Sequence, residues 1–160
     1  GQLLVAEKLT RSATGESIDA GQVGEIVKVN KAVLLSLLNS GFIPVVAPVS
    51  ADKDGIAYNV NADSAAGAIA GAMGAKRAIF LTDVPGLLGK WPDISTLISE
   101  ITYEEAKKLL PSLADGMIPK IGACLHAIDH GAQSAQIVDG RIPGILFHAL
   151  EKNVGTVIIR

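Results

Sequence analysis

The chain has one cysteine, Cys124. No internal disulfide can form, and such usage fits a reducing cytosol. Aromatic residues are scarce at 4%, although hydrophobic residues make up 49%. The core must therefore be aliphatic, of Val, Ile, Leu and Ala, as in sheets covered by helices on both faces. Charge is nearly balanced, at −2, with no basic run. This removes the electrostatic case for nucleic acid as a partner. The apolar stretches are too short or too Gly-rich to span a bilayer, so no membrane partner is expected. Gly1-Gln2-Leu3-Leu4-Val5-Ala6-Glu7 lacks the basic start and long apolar region of a signal peptide. No Gly-x-Ser-x-Gly and no Walker-type Gly-x-x-x-x-Gly-Lys occurs. His126, His130 and His148 sit at no metal-ligand spacing, and there are no cysteine pairs. No metal-ligating residue is therefore assigned.

What is present alternates. The 160 residues suit one domain, 1–160, with a sizeable core. Gln2 to Leu9 reads as a strand, and Arg11 to Gly24 as a loop or hairpin connection. Asn30 to Ser40 reads as a helix with Asn30 as N-cap and Gly41 as stop. The continuous apolar run Phe42 to Val49 predicts a buried strand. Ala51 to Gly55 is a turn, and Ile56 to Val60 a short strand. Ala62 to Met73 is a helix of small residues closed by Gly74, and Ala78 to Thr82 a buried strand. Thr102 caps a helix through Leu110, with Glu105 at capping-box spacing. Ile118 to His130 is helical, Ala135 to Val138 a strand, Pro143 to Leu150 a short helix and Val157 to Arg160 a last strand. Apolar strands alternating with helices predict an α/β fold with a mainly parallel sheet. Ligands of such sheets bind beyond the carboxyl ends of strands. The loops after Val60, Thr82 and Val138 are where chemistry is expected.

Three segments stand out. Tyr58-Asn59-Val60-Asn61-Ala62-Asp63 places two amides and a carboxylate where a strand becomes a helix. Asn59 and Asn61 alternate and so share one side. Asp63, early in its helix, is favoured there by capping and dipole alone; it can also orient a cation. Lys120 lies in the first turn of a helix that starts near Asp115-Gly116-Met117-Ile118-Pro119. There it opposes the helix dipole by about 1 kcal/mol or less. Either it is a solvated surface lysine, or lysine and helix N-terminus together face an anion such as phosphate. The third segment, Thr82 to Leu88, is good turn chemistry that can also present backbone groups and Leu87 or Leu88 to an adenine ring. Trp91 is read as covering a core edge, Cys124 as buried and inert, and His126 and His130 as a solvated helix face.

Together these motifs resemble the amino-acid kinase superfamily and, within it, the acetylglutamate kinases. Tyr58 to Asp63, Leu81 to Leu87 and Asp115 to Lys120 carry the resemblance, supported by Gly24 to Asn30, Gly41 to Val45 and Val154 to Thr156. It covers essentially the whole chain, and the Asn-x-Asn-Ala-Asp string is its most specific piece. The fold it implies is the three-layer, carbamate kinase-like sandwich, of which this would be the C-terminal part. Residues 1–30 would be a hairpin segment that bridges to the other lobe. The implied reaction is phosphoryl transfer from ATP to the side-chain carboxylate of N-acetyl-L-glutamate, in arginine biosynthesis. Lys120 would neutralise the transferred phosphoryl group, and Asp63 would position catalytic lysines. Asn59 would bind the acetylglutamate carboxylate, with Asn61 supporting that wall. Thr82, Asp83, Val84, Pro85, Gly86, Leu87 and Leu88, with Ser112, Leu113 and Ala114, would form the nucleotide loops. Mg2+ would be held mainly through ATP phosphates. The full-length enzyme would be a cytoplasmic homo-oligomer.

The chain also departs from the family pattern. A Gly-rich phosphate loop, a second catalytic lysine, a Gly-Gly pair and a substrate arginine are all missing. It therefore reads as the nucleotide-binding half of a kinase, inactive alone. Phe147 stands where arginine-sensitive members carry an acid and Glu151 is the candidate to replace it, which leaves arginine feedback open. Two other readings are a non-catalytic nucleotide- or amino-acid-binding sensor, and a kinase for a related acid such as an aminoadipate derivative.

Overall fold

The computed structural model describes residues 3–11, 16–114 and 116–160. Gln2, part of the Arg11–Gly24 connection (residues 12–15) and Asp115 of the lysine motif lie outside the described residues. The chain divides into two compact units, Gly1–Ile69 and Ala70–Arg160.

The first unit holds strands β1 (Leu4–Lys8), β2 (Val23–Val29), β3 (Val49–Ala51) and β4 (Ala57–Val60), with helix α1 (Lys31–Asn39). The strands close into a small barrel in the order β1-β2-β4-β3. β1 and β2 run antiparallel, from Leu4 opposite Val29 to Lys8 opposite Gly24. Gly24 is needed there: a Cβ would lie 2.7 Å from that of Tyr58. Leu4, Ala6, Tyr58, Val60 and Ala65 form the core of this unit. Asn30 takes the expected cap position of α1, but its side chain makes no capping bond.

One expectation fails here. Phe42 to Val49 is not a buried strand: pairing starts only at Val49, and Ile43 and Val45 are 91% and 96% exposed. Pro44 and Pro48 carry no N–H and so cannot donate to a ladder. The sequence reading places β2 only within a hairpin or loop segment, because Glu25 and Lys28 break up its apolar pattern. Helix α2 (Ala62–Met73) begins in this unit and has the predicted bounds.

The second unit holds β5 (Ala78–Thr82), β6 (Glu100–Thr102), β7 (Ser134–Asp139) and β8 (Thr156–Ile159), in the order β5-β7-β8-β6. Helices α3 (Tyr103–Leu109), α4 (Ile118–Asp129) and α5 (Ile145–Glu151) pack with it. β5–β7 and β6–β8 are parallel, while β7–β8 is antiparallel. The α/β class holds, with mixed rather than uniformly parallel pairing.

Side chains alternate across β7. Ala135 and Ile137 share a cluster with Ile121, Cys124 and Ile128 of α4. Gln136, on the other face, accepts from Arg77 at 3.0 Å, and Arg77 also donates to the Ala149 carbonyl of α5 at 3.0 Å. Helices therefore cover this sheet on both faces. The Thr102–Glu105 capping box forms as predicted, with Glu105 Oε2 accepting from the Thr102 amide at 3.0 Å. β6 was not foreseen; three residues are too few to show a period. The end of α2 meets the end of α4 closely at Gly71. A Cβ on Gly71 would fall 2.5 Å from that of His130. Trp91, expected at a core edge, is 63% exposed.

Candidate active site

In the first unit, β4 delivers Asn59 and α2 delivers Asp63. Val60 is buried and Asn59 exposed, as a strand alternation requires. Asn61 caps α2: its Oδ1 accepts from the Ser64 amide at 3.1 Å. One face of the Asn61 amide thus serves the helix start, in the way N-cap residues satisfy an orphan donor. Asp63 is half-buried in the first turn. Among the described residues its carboxylate has no hydrogen-bond or ion-pair partner.

In the second unit, the loop after β5 is fixed from below. Leu87 is 2% exposed and belongs to the core, so its side chain anchors the loop and cannot meet an adenine ring. The Leu87 amide donates to Thr156 Oγ1 at 2.7 Å, and that hydroxyl donates to the Ile98 carbonyl at 2.6 Å. Gly86 has φ 145°, and a Cβ there would lie 2.5 Å from Thr156 Oγ1. Thr82 Oγ1 accepts from the Val84 amide at 3.2 Å. Asp83 is exposed, and Val84, Pro85 and Leu88 are half-buried.

The segment before α4 joins the same core. Val84, Leu113 and Met117 all pack against the cluster that contains Leu87. Ser112 Oγ donates to the Leu109 carbonyl at 2.7 Å, and the Ala114 carbonyl accepts from Met117 at 2.8 Å. Lys120 is half-buried in the first turn of α4, after Pro119. It has no ion-pair partner among the described residues.

A cation beside the β5 loop escaped the sequence reading. Thr82 and Asp139 are paired neighbours at the carboxyl ends of β5 and β7. Asp139 holds Arg141 through Nε and Nη2, each at 2.8 Å. These bonds and the Arg141 amide lower the Asp139 carboxyl from its usual 3.8 to about 2. Arg141 is raised in turn, chiefly by Asp139 and also by the Asp83 carboxylate. The usable signal was Asp139-Gly140-Arg141 just past an apolar strand, where ligands of α/β sheets gather. His126 and His130 are exposed on α4 and stack with ring centroids 4.0 Å apart. Cys124 is fully buried.

The sequence model of the amino acid kinase family matches residues 2–139. The chain belongs to the amino acid kinase family. A curated family relative, the acetylglutamate kinase of Corynebacterium urealyticum, is 46% identical over 98% of this chain and 52% of its own length. The chain thus spans about half the length of the curated relatives it matches. An N-acetylglutamate synthase from Neisseria gonorrhoeae, crystallised with coenzyme A and L-arginine, superposes with a TM-score of 0.85. It is 26% identical over 99% of this chain and 37% of its own. Carbamate kinase from Giardia lamblia bound to AMP-PNP shares the fold at a TM-score of 0.66. That match is 19% identical over 98% of this chain and 52% of the other.

Proposed function

We propose that this chain is the nucleotide-binding part of an ATP-dependent acetylglutamate kinase. The observation that carries the reading is the 46% identity to such a kinase across nearly the whole chain. The reaction moves the γ-phosphoryl group of ATP to the side-chain carboxylate of N-acetyl-L-glutamate. ADP leaves, and an acyl phosphate forms. Such transfer needs positioning and charge stabilisation rather than a protein nucleophile.

Lys120 serves as the cation that meets the phosphoryl group, assisted by the N-terminal amides of α4. Thr82 to Leu88 and Ser112 to Ala114 hold the nucleotide through backbone groups and half-buried side chains. Leu87 contributes as the anchor of its loop. Asn59 and Asn61 bind the acetylglutamate, and Asp63 serves as the positioning carboxylate for lysine. Mg2+ enters with ATP and keeps mainly phosphate and water ligands, as this ion prefers. The complete enzyme works in the cytoplasm as a homo-oligomer. Among the described residues no helix is long and apolar enough to cross a membrane.

The test joins this chain to the part of the Corynebacterium urealyticum relative that it does not match. Coupled ADP release is then followed with N-acetyl-L-glutamate and with aminoadipate derivatives. Acetylglutamate-dependent release is expected, and Lys120→Ala should cut kcat by about 100-fold or more. A folded protein that releases no ADP, or that prefers the other acid, overturns the reading. A second reading, a non-catalytic sensor, is favoured by the likeness to a synthase crystallised with L-arginine. Calorimetry separates the two: a sensor binds L-arginine and ignores Lys120→Ala, whereas the kinase part binds ATP and loses affinity.

A further inference from the structure

His126 and His130 lie four residues apart at the end of α4, so their side chains are neighbours on one helix face. The rings stack, with centroids 4.0 Å apart and 25° between their planes. Both residues are exposed. The His126 carbonyl accepts twice from His130, from its amide at 3.1 Å and from ring Nδ1 at 2.8 Å. A carbonyl oxygen only accepts, so Nδ1 carries the proton. The neutral His130 ring then keeps its lone pair on Nε2. Metal-bound histidines are held in the same way, with the other ring nitrogen donating to a carbonyl or carboxylate. Among the described residues, the ring nitrogens of His126 make no hydrogen bond.

The backbone side of the pair is fixed. Gly71, near the end of α2, lies so close that a Cβ there would fall 2.5 Å from that of His130. The rings themselves keep freedom, because the ring torsion of histidine is broad. A tetrahedral ion about 2 Å from each of two nitrogens holds them about 3.3 Å apart. Rings 4.0 Å apart reach that spacing when the exposed His126 ring turns about this torsion. Charge also favours a cation here. The last carbonyls of α4 form the negative end of its dipole. Asp129, which accepts from the Tyr103 hydroxyl at 2.9 Å, adds a carboxylate next to His130 in the chain.

The sequence shows no zinc-type ligand set around these histidines. Among the described residues, no group of three or more His, Cys, Asp and Glu could hold a metal ion. Two histidines four apart on a helix are nonetheless a chelate, and zinc enzymes use that pair. We infer that His126 and His130 form a two-point surface site for a divalent transition-metal ion of the zinc and nickel class, with water completing the coordination. Imidazole suits these ions, whereas Mg2+ prefers oxygen. The site is therefore distinct in chemistry from the Mg2+ that ATP carries, and it is independent of the kinase reading. An ion that bridges residues 126 and 130 closes the last turn of α4. It binds the folded chain better than the unfolded one and so raises the melting temperature.

The test titrates ZnCl2 and NiCl2, separately, into the untagged, isotope-labelled chain without nucleotide. Calorimetry should give one Zn2+ per chain, with a melting temperature that rises with metal concentration. Paramagnetic Ni2+ should broaden NMR signals in a zone centred on His126 and His130. His126→Gln and His130→Gln should each weaken Zn2+ binding at least tenfold and abolish both the broadening and the rise in melting temperature. Metal-free melts of the two variants establish that they are folded. Excess MgCl2 should leave Zn2+ in place. Zn2+ affinity unchanged in either variant overturns the proposal, as does broadening centred elsewhere, such as on His148. So does the absence of any broadening at a tenfold molar excess of Ni2+, or displacement of Zn2+ by Mg2+. If the chain aggregates alone, the covalently joined protein takes its place, with the same variants and the same deciding outcomes. No turnover is measured, so the fate of the kinase reading does not enter.

Discussion

The Thr156 hydroxyl accepts the amide of Leu87 at 2.7 Å, tying the loop after β5 to the strand β8. The same hydroxyl donates to the Ile98 carbonyl at 2.6 Å. Thr156→Val keeps the shape and strands both partners in a buried place. A loss of about 1–3 kcal/mol per unsatisfied group is the scale expected. Urea unfolding should show a lowered midpoint with an unchanged slope, and Thr156→Ser should recover most of it. A Val variant as stable as the parent would refute this role.

Helix α2 offers a test of close packing against helix propensity. In a helix interior, Gly to Ala ordinarily gains up to about 1 kcal/mol. At Gly122 of α4 a Cβ meets nothing within 4 Å, so Gly122→Ala should raise Tm. At Gly71 the new Cβ would sit 2.5 Å from that of His130, so Gly71→Ala should lower it. Calorimetric melts of the two variants should move in opposite directions.

Asp139 makes acid stability sensitive to Arg141. Its folded carboxyl lies at about 2, below the usual 3.8. A lowered acid contributes stability above its unfolded value, and that contribution is lost as pH falls toward the folded one. Parent and Asp139→Asn should therefore differ most above pH 4 and converge near pH 2. Unfolding free energies measured across that range decide the matter; a constant difference counts against the pairing.

His126 carries a second pH dependence. Partial desolvation of its ring first, and the neighbouring His130 second, hold its imidazole below the usual 6.5. A lowered histidine favours the folded state above its unfolded value, and the benefit fades as pH falls through the folded one. NMR titration of the ring protons should place His126 below 6.5. His126→Gln should flatten the stability profile on the acid side of that value.

Local signals in the sequence gave accurate element bounds. The capping pair Thr102 and Glu105, the stops at Gly41, Gly74 and Gly131, and the small-residue run from Ala62 to Met73 all act within a few residues. They look the same in a sequence as in a fold. Phe42 to Val49 misled because apolar content reports what a segment would bury, not whether a neighbour is there to bury it. β6 is too short to show a period, and the charged residues of β2 leave it legible only as part of a hairpin or loop segment. Asn61, which the alternation places on a strand end beside Asn59, turns its side chain to the start of α2 instead. The Asp139–Arg141 pair was within reach, since it follows a strand at the sheet's carboxyl edge. The choice between Leu87 and Leu88 as a ring contact stays open in the sequence, because a sequence does not tell which of two adjacent leucines turns inward; here Leu87 does.

The strand order β5-β7-β8-β6 carries a consequence for how the chain is made. β6 pairs only with β8 among the described strands, although residues 103–155 separate them in the chain. As a ribosome extends the chain, Glu100–Thr102 must wait until Thr156–Ile159 has emerged before it can join a sheet. Thr156, whose hydroxyl fastens the Leu87 loop, arrives with that same strand. The loop after β5 is therefore synthesised early and shaped late.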